Sequence, residues 1–174
     1  MSGVLLERSA LPSDGDSVRI DWIGVHPQHV RRLADWHVRA FADWVSGWQI
    51  DEAAAELAEH ASRRGAPTTL VAVDGDELLG SVSLLDSDPP APDCYAPWLG
   101  SLFVRTEARR RGIGRRLVEA AIDEASRLGL PALHLWTPDQ AAFYARLGWK
   151  SLGAQRFGGV RVTVMRIDVP KAAA

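Results

Sequence analysis

Apolar side chains change their spacing along this chain, and the changes predict alternating groups of strands and helices. Residues 17–23 alternate between apolar and polar positions, with Val18, Ile20 and Trp22 on one side, which is typical of a strand. From Val30 to Val45 the apolar positions recur with the helical period, and Gly47 ends the predicted helix. The full pattern predicts strands at 17–23, 68–73, 78–85, 98–104, 130–136, 151–157 and 160–169, and helices as a pair within 30–64 and at 113–128 and 139–147.

The order of these elements predicts one domain. The order β-α-α-β-β-β-α-β-α-β-β favours a mixed sheet with helices against it, in the α/β or α+β class. A chain of 174 residues fits one domain of ordinary size and can bury a core without a disulfide or a metal. We expect residues 1–16 to be a flexible lead-in and residues 17–169 to form the domain.

Composition and charge argue against several classes of protein. Hydrophobic residues make up 47% of the chain and charged residues 24%, which is typical of a globular protein rather than a disordered one. There is no apolar run long enough to span a membrane and no signal-peptide pattern, so we expect a cytoplasmic protein with no membrane partner. Cys94 is the only cysteine, and His26 and His29 have no further ligands near them in sequence, so no metal is expected.

One short segment carries a strong local charge. Between Arg105 and Arg116 the chain has six arginines and one glutamate, and Gly112 and Gly114 lie where a helix is predicted to begin. Glycines let the backbone approach a ligand, and the exposed amides of a helix start favour an anion. The segment predicts a site for a phosphate-bearing ligand, with a solvated basic helix end as the alternative. It has no P-loop lysine, and Leu117 stands in place of the third glycine of a dinucleotide-binding fingerprint.

Two motifs give the sequence a resemblance to a known family. Arg109-Arg110-Arg111-Gly112-Ile113-Gly114 has the pattern Arg/Gln-x-x-Gly-x-Gly/Ala between a strand and a helix, and Phe143-Tyr144 precede Gly148-Trp149. With both motifs, the sequence resembles the GNAT superfamily, the N-acetyltransferases that use acetyl-coenzyme A (acetyl-CoA). The resemblance covers residues 68–169. It implies a mixed, mostly antiparallel central sheet flanked by about four helices.

The resemblance also implies which residues bind acetyl-CoA as a cosubstrate. Backbone amides of the arginine- and glycine-rich loop would bind its pyrophosphate. The preceding strand would pair with the pantetheine arm and place an amide near the thioester oxygen, where such a contact can supply a few kcal/mol. The implied acetyl-CoA-binding residues are Leu102, Phe103, Val104, Arg109, Arg110, Arg111, Gly112, Ile113, Gly114 and Arg115.

The same resemblance implies a catalytic acid and leaves the catalytic base open. Tyr144 matches the family tyrosine that protonates the departing thiolate, with simple packing of its helix as the alternative. No family motif identifies the group that takes the proton of the amine. Asp86 is the first candidate because it follows the third predicted strand, near the expected pocket loop.

Aromatic residues are the candidates for the acceptor site. Trp98 begins the strand that would bind acetyl-CoA, and Tyr95 lies in the proline-rich loop before it, so both could line one wall. Trp36, Trp44 and Trp48, in and after the first helix, could form the other wall, although tryptophans are commonly core residues.

The resemblance implies an enzyme that transfers an acetyl group from acetyl-CoA to a primary amine of a small molecule by direct attack. A protein or peptide amine is an alternative acceptor, and a non-catalytic acyl-CoA-binding regulatory module is an alternative function. The net charge of −2 makes a nucleic-acid partner for the arginines the weakest interpretation. A homodimer is left open, on analogy alone.

Overall fold

The computed structural model describes residues 17–62 and 64–172, so the lead-in expected over residues 1–16 lies outside the described part. The strands are β1 (Val18–Trp22), β2 (Thr68–Asp74), β3 (Glu77–Leu85), β4 (Trp98–Val104), β5 (Ala132–Thr137), β6 (Lys150–Phe157) and β7 (Val160–Asp168). They form one sheet in the order β1-β2-β3-β4-β5-β7-β6. Neighbouring strands are antiparallel except β4 and β5, which run parallel.

Helices cover both faces of this sheet. Over the described ranges the α-helices are α1 (Val30–Ala40), α2 (Ile50–Glu59), α3 (Ile113–Arg127) and α4 (Ala141–Arg146). None of them is long and apolar enough to cross a membrane. A mixed, mostly antiparallel sheet with four helices confirms the predicted fold class.

The strand β2 shows how the two helical layers share one sheet. Its side chains alternate, so that Leu70 and Ala72 pack in the cluster with α3, whereas Val71 and Val73 pack in the cluster with α1 and α2. A strand covered on both faces has a continuous apolar sequence, and β2 has one. The helical residues buried against the sheet are Ile113, Leu117, Val118, Ala121 and Ala125 on one face, and Leu33, Ala34, Ala53 and Leu57 on the other.

The first helix is shorter than its apolar pattern predicts. α1 ends at Ala40, and the segment up to Gly47 forms turns in which the N–H groups of Trp44 and Val45 donate to the carbonyl of Phe41. Val45 is 38% exposed in this segment, so the end of the apolar stripe is not part of the core. Ending the helix early places the aromatic side chains of residues 41–48 beside the sheet instead of along a helix face.

The strands β4 and β5 pair at one point and then separate. Trp98 faces His134 across the two strands, and the N–H of His134 donates to the carbonyl of Pro97 at 3.0 Å. Beyond this point β4 pairs only with β3, and β5 pairs only with β7, within the described residues. The facing edges of the two strands therefore keep backbone polar groups that are open to a ligand.

Candidate active site

A cavity of about 780 Å³ occupies the gap between β4 and β5. Its floor consists of residues 99–102 of β4 and residues 136–140 at the end of β5. Its roof is the turn between α1 and α2, which contributes Phe41, Trp44 and Trp48. The cavity therefore exists because two parallel strands diverge and a long connection covers the opening.

The strand β4 carries a β-bulge where it faces this cavity. Ser81 pairs with Phe103 and Ser83 pairs with Gly100, so Ser101 and Leu102 together stand opposite one residue of β3. Ser101 has a φ of 50°, in the left-handed region that non-glycine residues rarely adopt. A bulge leaves backbone groups out of the ladder and re-aims them, and it is common next to active sites. Here the re-aimed backbone lines the cavity.

The strand residues predicted to bind the pantetheine arm have different surroundings. Leu102 lines the cavity. Phe103 packs against Trp36, with ring centroids 5.5 Å apart. The carbonyl of Val104 accepts a hydrogen bond of 2.9 Å from Nε of Arg109, which fixes the arginine-rich loop to the end of β4. The binding role of these residues stays a prediction.

The arginine- and glycine-rich loop forms the start of α3. Gly112 is the N-cap residue with a φ of 73°, and Arg110 two positions earlier also has a positive φ, of 62°. The amides of the first helical turn, which include those of Ile113, Gly114 and Arg115, have no acceptor within the helix. Together with the helix dipole they form a site that favours an anion. This donor set fits a pyrophosphate group.

Several arginine side chains near this loop are held by the protein itself. Arg115 pairs with Glu119 at 2.7 Å, and Arg116 donates to the carbonyl of Val18 at 2.6 Å. Arg105 pairs with Glu77 and, at 3.4 Å, with Glu107. The backbone amides, rather than these three side chains, are therefore the groups left available to a bound anion.

The predicted catalytic acid Tyr144 lies in the cavity wall. Its side chain is buried between Phe143 and Trp149, with ring centroids 5.0 and 5.9 Å away. Burial raises the pKa of the Tyr144 phenol, so the hydroxyl keeps its proton at neutral pH. A side chain at position 114 would begin 3.6 Å from the ring of Phe143. The start of α3 thus lies beside the residue next to Tyr144.

Two carboxylates of the loop after β3 line the cavity. Asp86, the predicted base, is exposed. Asp88 is partly buried, and burial raises the pKa of its carboxyl to about 6. The indole N–H of Trp136 faces Asp88 and opposes that shift, although the two groups fall short of regular hydrogen-bond geometry. Asp88 is not among the residues predicted from the sequence; the available signal was a carboxylate three residues beyond a strand and directly before two prolines.

The structure does not bring Trp98 and Tyr95 to the cavity. Trp98 is fully buried and packs against Tyr95 and His134, at the one place where β4 and β5 are joined and leave no gap. The hydroxyl of Tyr95 accepts a hydrogen bond of 2.9 Å from Gln155. The tryptophans that line the cavity are Trp44, Trp48 and Trp136.

Two histidines in the cavity wall are uncharged at neutral pH. His37 is buried and lies 2.8 Å from the hydroxyl of Ser81, and burial lowers its pKa to about 3. His60 lies 3.0 Å from the hydroxyl of Thr69, and burial lowers its pKa as well. Neither ring therefore repels a cation that enters the cavity. Across residues 17–62 and 64–172, no three metal-ligating side chains come close enough to hold a metal ion.

A sheet divided between two parallel strands, with a glycine-rich helix start beside the gap, is a fold shared by solved acetyltransferases. The acetyltransferase of the GNAT family from Streptococcus pneumoniae superposes with a TM-score of 0.66 and 23% identity, over 88% of this chain and 99% of that chain. An aminoglycoside 6'-N-acetyltransferase complexed with coenzyme A superposes with a TM-score of 0.66 and 21% identity, over 90% and 99% of the two chains.

The chain belongs to the acetyltransferase (GNAT) family, whose family model matches residues 30–149. This confirms the family resemblance noted in the sequence. The chain is also 34% identical over 100 residues to mycothiol acetyltransferase from Rhodococcus erythropolis (strain PR4 / NBRC 100887). That match covers 57% of this chain and 30% of that protein, so the chain corresponds to a minor part of its relative.

Proposed function

We propose that this protein transfers an acetyl group from acetyl-CoA to a primary amine of a small molecule by direct attack. The observation that carries the proposal is the placement of three groups around one gap in the sheet. The amides at the start of α3 suit a pyrophosphate, the bulged backbone at Ser101 and Leu102 faces the cavity, and Tyr144 forms its wall. Two relatives whose names contain small molecules, mycothiol and an aminoglycoside, support a small-molecule substrate.

Different residues of the cavity act in different steps of the proposed reaction. Acetyl-CoA supplies a thioester whose carbonyl carbon is open to attack. A carboxylate of the loop after β3 takes a proton from the ammonium form of the acceptor, because only the neutral amine has a free electron pair. As the carbon–nitrogen bond forms and the carbon–sulfur bond breaks, Tyr144 gives its proton to the departing sulfur. The second proton that the nitrogen loses as the amide forms passes through water and restores the Tyr144 hydroxyl.

The position of Tyr144 suits this step better than a freely exposed phenol. Burial raises the pKa of the hydroxyl, which is protonated at neutral pH as an exposed phenol also is, so the advantage of Tyr144 is its fixed position. Phe143 and Trp149 hold the ring on two sides and limit its rotation. A positioned acid of this kind contributes about 100-fold or more to the rate.

The substitution Tyr144→Phe tests this proposal. We expect the purified variant to bind acetyl-CoA with unchanged affinity in calorimetry and to release free thiol about 100-fold more slowly with an amine acceptor. The matched control is Tyr95→Phe, which removes a hydroxyl from the only other tyrosine of the chain, outside the cavity lining. An equal rate for Tyr144→Phe and wild type would remove Tyr144 from the reaction. Tight acetyl-CoA binding without thiol release for any amine would favour a non-catalytic acyl-CoA-binding module.

A further inference from the structure

The carboxyl group of Asp88 lies beside the bulged part of β4. A Cβ atom at Gly100 would be 3.4 Å from Oδ2 of Asp88 and 2.7 Å from Leu85. The glycine at position 100 therefore makes room for Leu85, and the carboxyl of Asp88 lies at contact distance from the same point of β4. Gly100 directly precedes the bulge at Ser101 and Leu102. Asp88 is thus the cavity carboxylate that lies next to the backbone of β4, which is expected to face the thioester of acetyl-CoA.

Aromatic side chains surround the approach to Asp88. Trp136 faces its carboxyl from β5. Trp44 reaches from the turn after α1 to the edge of Trp136, with ring centroids 6.4 Å apart and an angle of 81°. Phe41 and Trp48 line the same roof, and the indole of Trp48 donates to Glu56 at 3.2 Å. We call Phe41, Trp44, Trp48 and Trp136 the aromatic wall.

The charges that face this space favour a cation, and Asp88 is the cavity carboxylate that lies against β4. Asp86 and Asp139 are exposed at the opening, and Glu56 is held by Trp48. His37 and His60 are uncharged at neutral pH because burial lowers their pKa values. Neither lysine nor arginine is among the described residues that line the cavity. An ammonium group can therefore reach Asp88 without a competing cation.

We propose that Asp88 binds the ammonium group of the acceptor and takes its proton, and that the aromatic wall selects a primary monoamine with an aromatic body. This inference rests on the proposed acetyl transfer. One N–H proton of the ammonium moves to a carboxylate oxygen of Asp88, and the freed electron pair forms the new carbon–nitrogen bond. Asp88 afterwards returns that proton to water. An aromatic monoamine places its ammonium group at Asp88 and its ring against the aromatic wall, whereas an aliphatic polyamine has no ring to bury there and its further ammonium groups would have to reach the exposed carboxylates of Asp86 and Asp139.

Binding can be measured separately from turnover. The full chain is saturated with coenzyme A and titrated calorimetrically with phenethylamine, with spermidine and with the uncharged 2-phenylethanol. We expect phenethylamine to bind more tightly than the other two, and Asp88→Asn to weaken it at least tenfold. Asp123→Asn, which removes an exposed carboxyl of α3, is the control and should bind like wild type. Equal phenethylamine affinity in wild type and Asp88→Asn would overturn the inference, as would tighter binding of spermidine.

Thiol release in the presence of acetyl-CoA separates this inference from the proposed function. We expect Asp88→Asn to raise KM for phenethylamine and to lower kcat, since the residue both binds the ammonium and accepts its proton. Release with spermidine, at equal rates in wild type and Asp88→Asn, would overturn the role of Asp88 and leave acetyl transfer intact. Loss of activity in Asp86→Asn but not in Asp88→Asn would assign the proton to Asp86 instead. Binding of phenethylamine that depends on Asp88, without thiol release, would overturn acetyl transfer and the proton step together.

Discussion

The carboxyl of Asp88 should reduce the stability of the folded protein at neutral pH, and replacing it should show this directly. Burial raises its pKa from 3.8 to about 6, so the folded state binds this proton more tightly than the unfolded state does. The free energy of unfolding therefore falls as the pH rises from 3.8 to about 6, and it stays low above that range. Asparagine has nearly the same shape and no charge, so Asp88→Asn should remove the loss.

The expected gain follows from the two pKa values. At pH 7.5 the ionised carboxyl costs the folded state at most about 3 kcal/mol, and at pH 4.5 the same calculation leaves about 1 kcal/mol. For a domain of this size, a gain of about 3 kcal/mol corresponds to a rise in Tm of roughly 6–12 °C. Asp88→Asn should thus be more stable than wild type, and the advantage should shrink in acid.

Urea unfolding followed by circular dichroism at the two pH values measures this difference. Comparing wild type and variant at the same pH cancels the contributions of other titrating groups. Asp123→Asn, an exposed position on α3, serves as the control for the loss of one negative charge and should change stability little. Equal stability of Asp88→Asn and wild type at pH 7.5 would refute the reasoning. An equal gain in the free energy of unfolding at pH 4.5 would show that the gain does not come from ionisation of Asp88.

The other predictions concern the anion site and a buried histidine. Gly112→Glu should weaken acetyl-CoA binding at least tenfold in calorimetry, because it puts a negative charge at the start of α3. The control Gly112→Ala has the same backbone strain from the φ of 73° but no charge, and it should retain most of the affinity for acetyl-CoA. His37 should promote acid unfolding, because its pKa of about 3 in the folded protein lies below the unfolded value of 6.5. Its contribution to the free energy of unfolding is fully present above pH 6.5 and declines below it, by about 3 kcal/mol at pH 4.5. His37→Gln should therefore show a weaker loss of urea resistance between pH 7.5 and pH 4.5, and an unchanged loss would contradict this.

Local patterns predicted most elements of the fold because each element carries its own spacing. The apolar side of α3 and the continuous apolar run of β2 follow directly from helical and strand periods that the sequence displays. The end of α1 was predicted too late, because the apolar residues from Phe41 to Val45 continue the helical spacing in the sequence. Whether these residues are buried depends on the sheet, which the helical spacing does not describe. The separation of β4 from β5 has no local signal, because strand pairing is decided between distant segments.

The same distinction explains which parts of the site could be predicted. The loop at Gly112 and the tyrosine at position 144 belong to short motifs, whose chemistry is contained within a few consecutive residues. The environment of Asp88 is built from Gly100 and Trp136, which lie 12 and 48 positions away in sequence. Apolar spacing alone could not tell that Trp98 fills the joined end of the strands while Trp44 faces the gap. The proposed acceptor site thus depends on contacts between segments, whereas the proposed anion site depends on one segment. Substitutions at Gly112 should therefore affect acetyl-CoA binding for any acceptor, and those at Asp88 should change which acceptor is used.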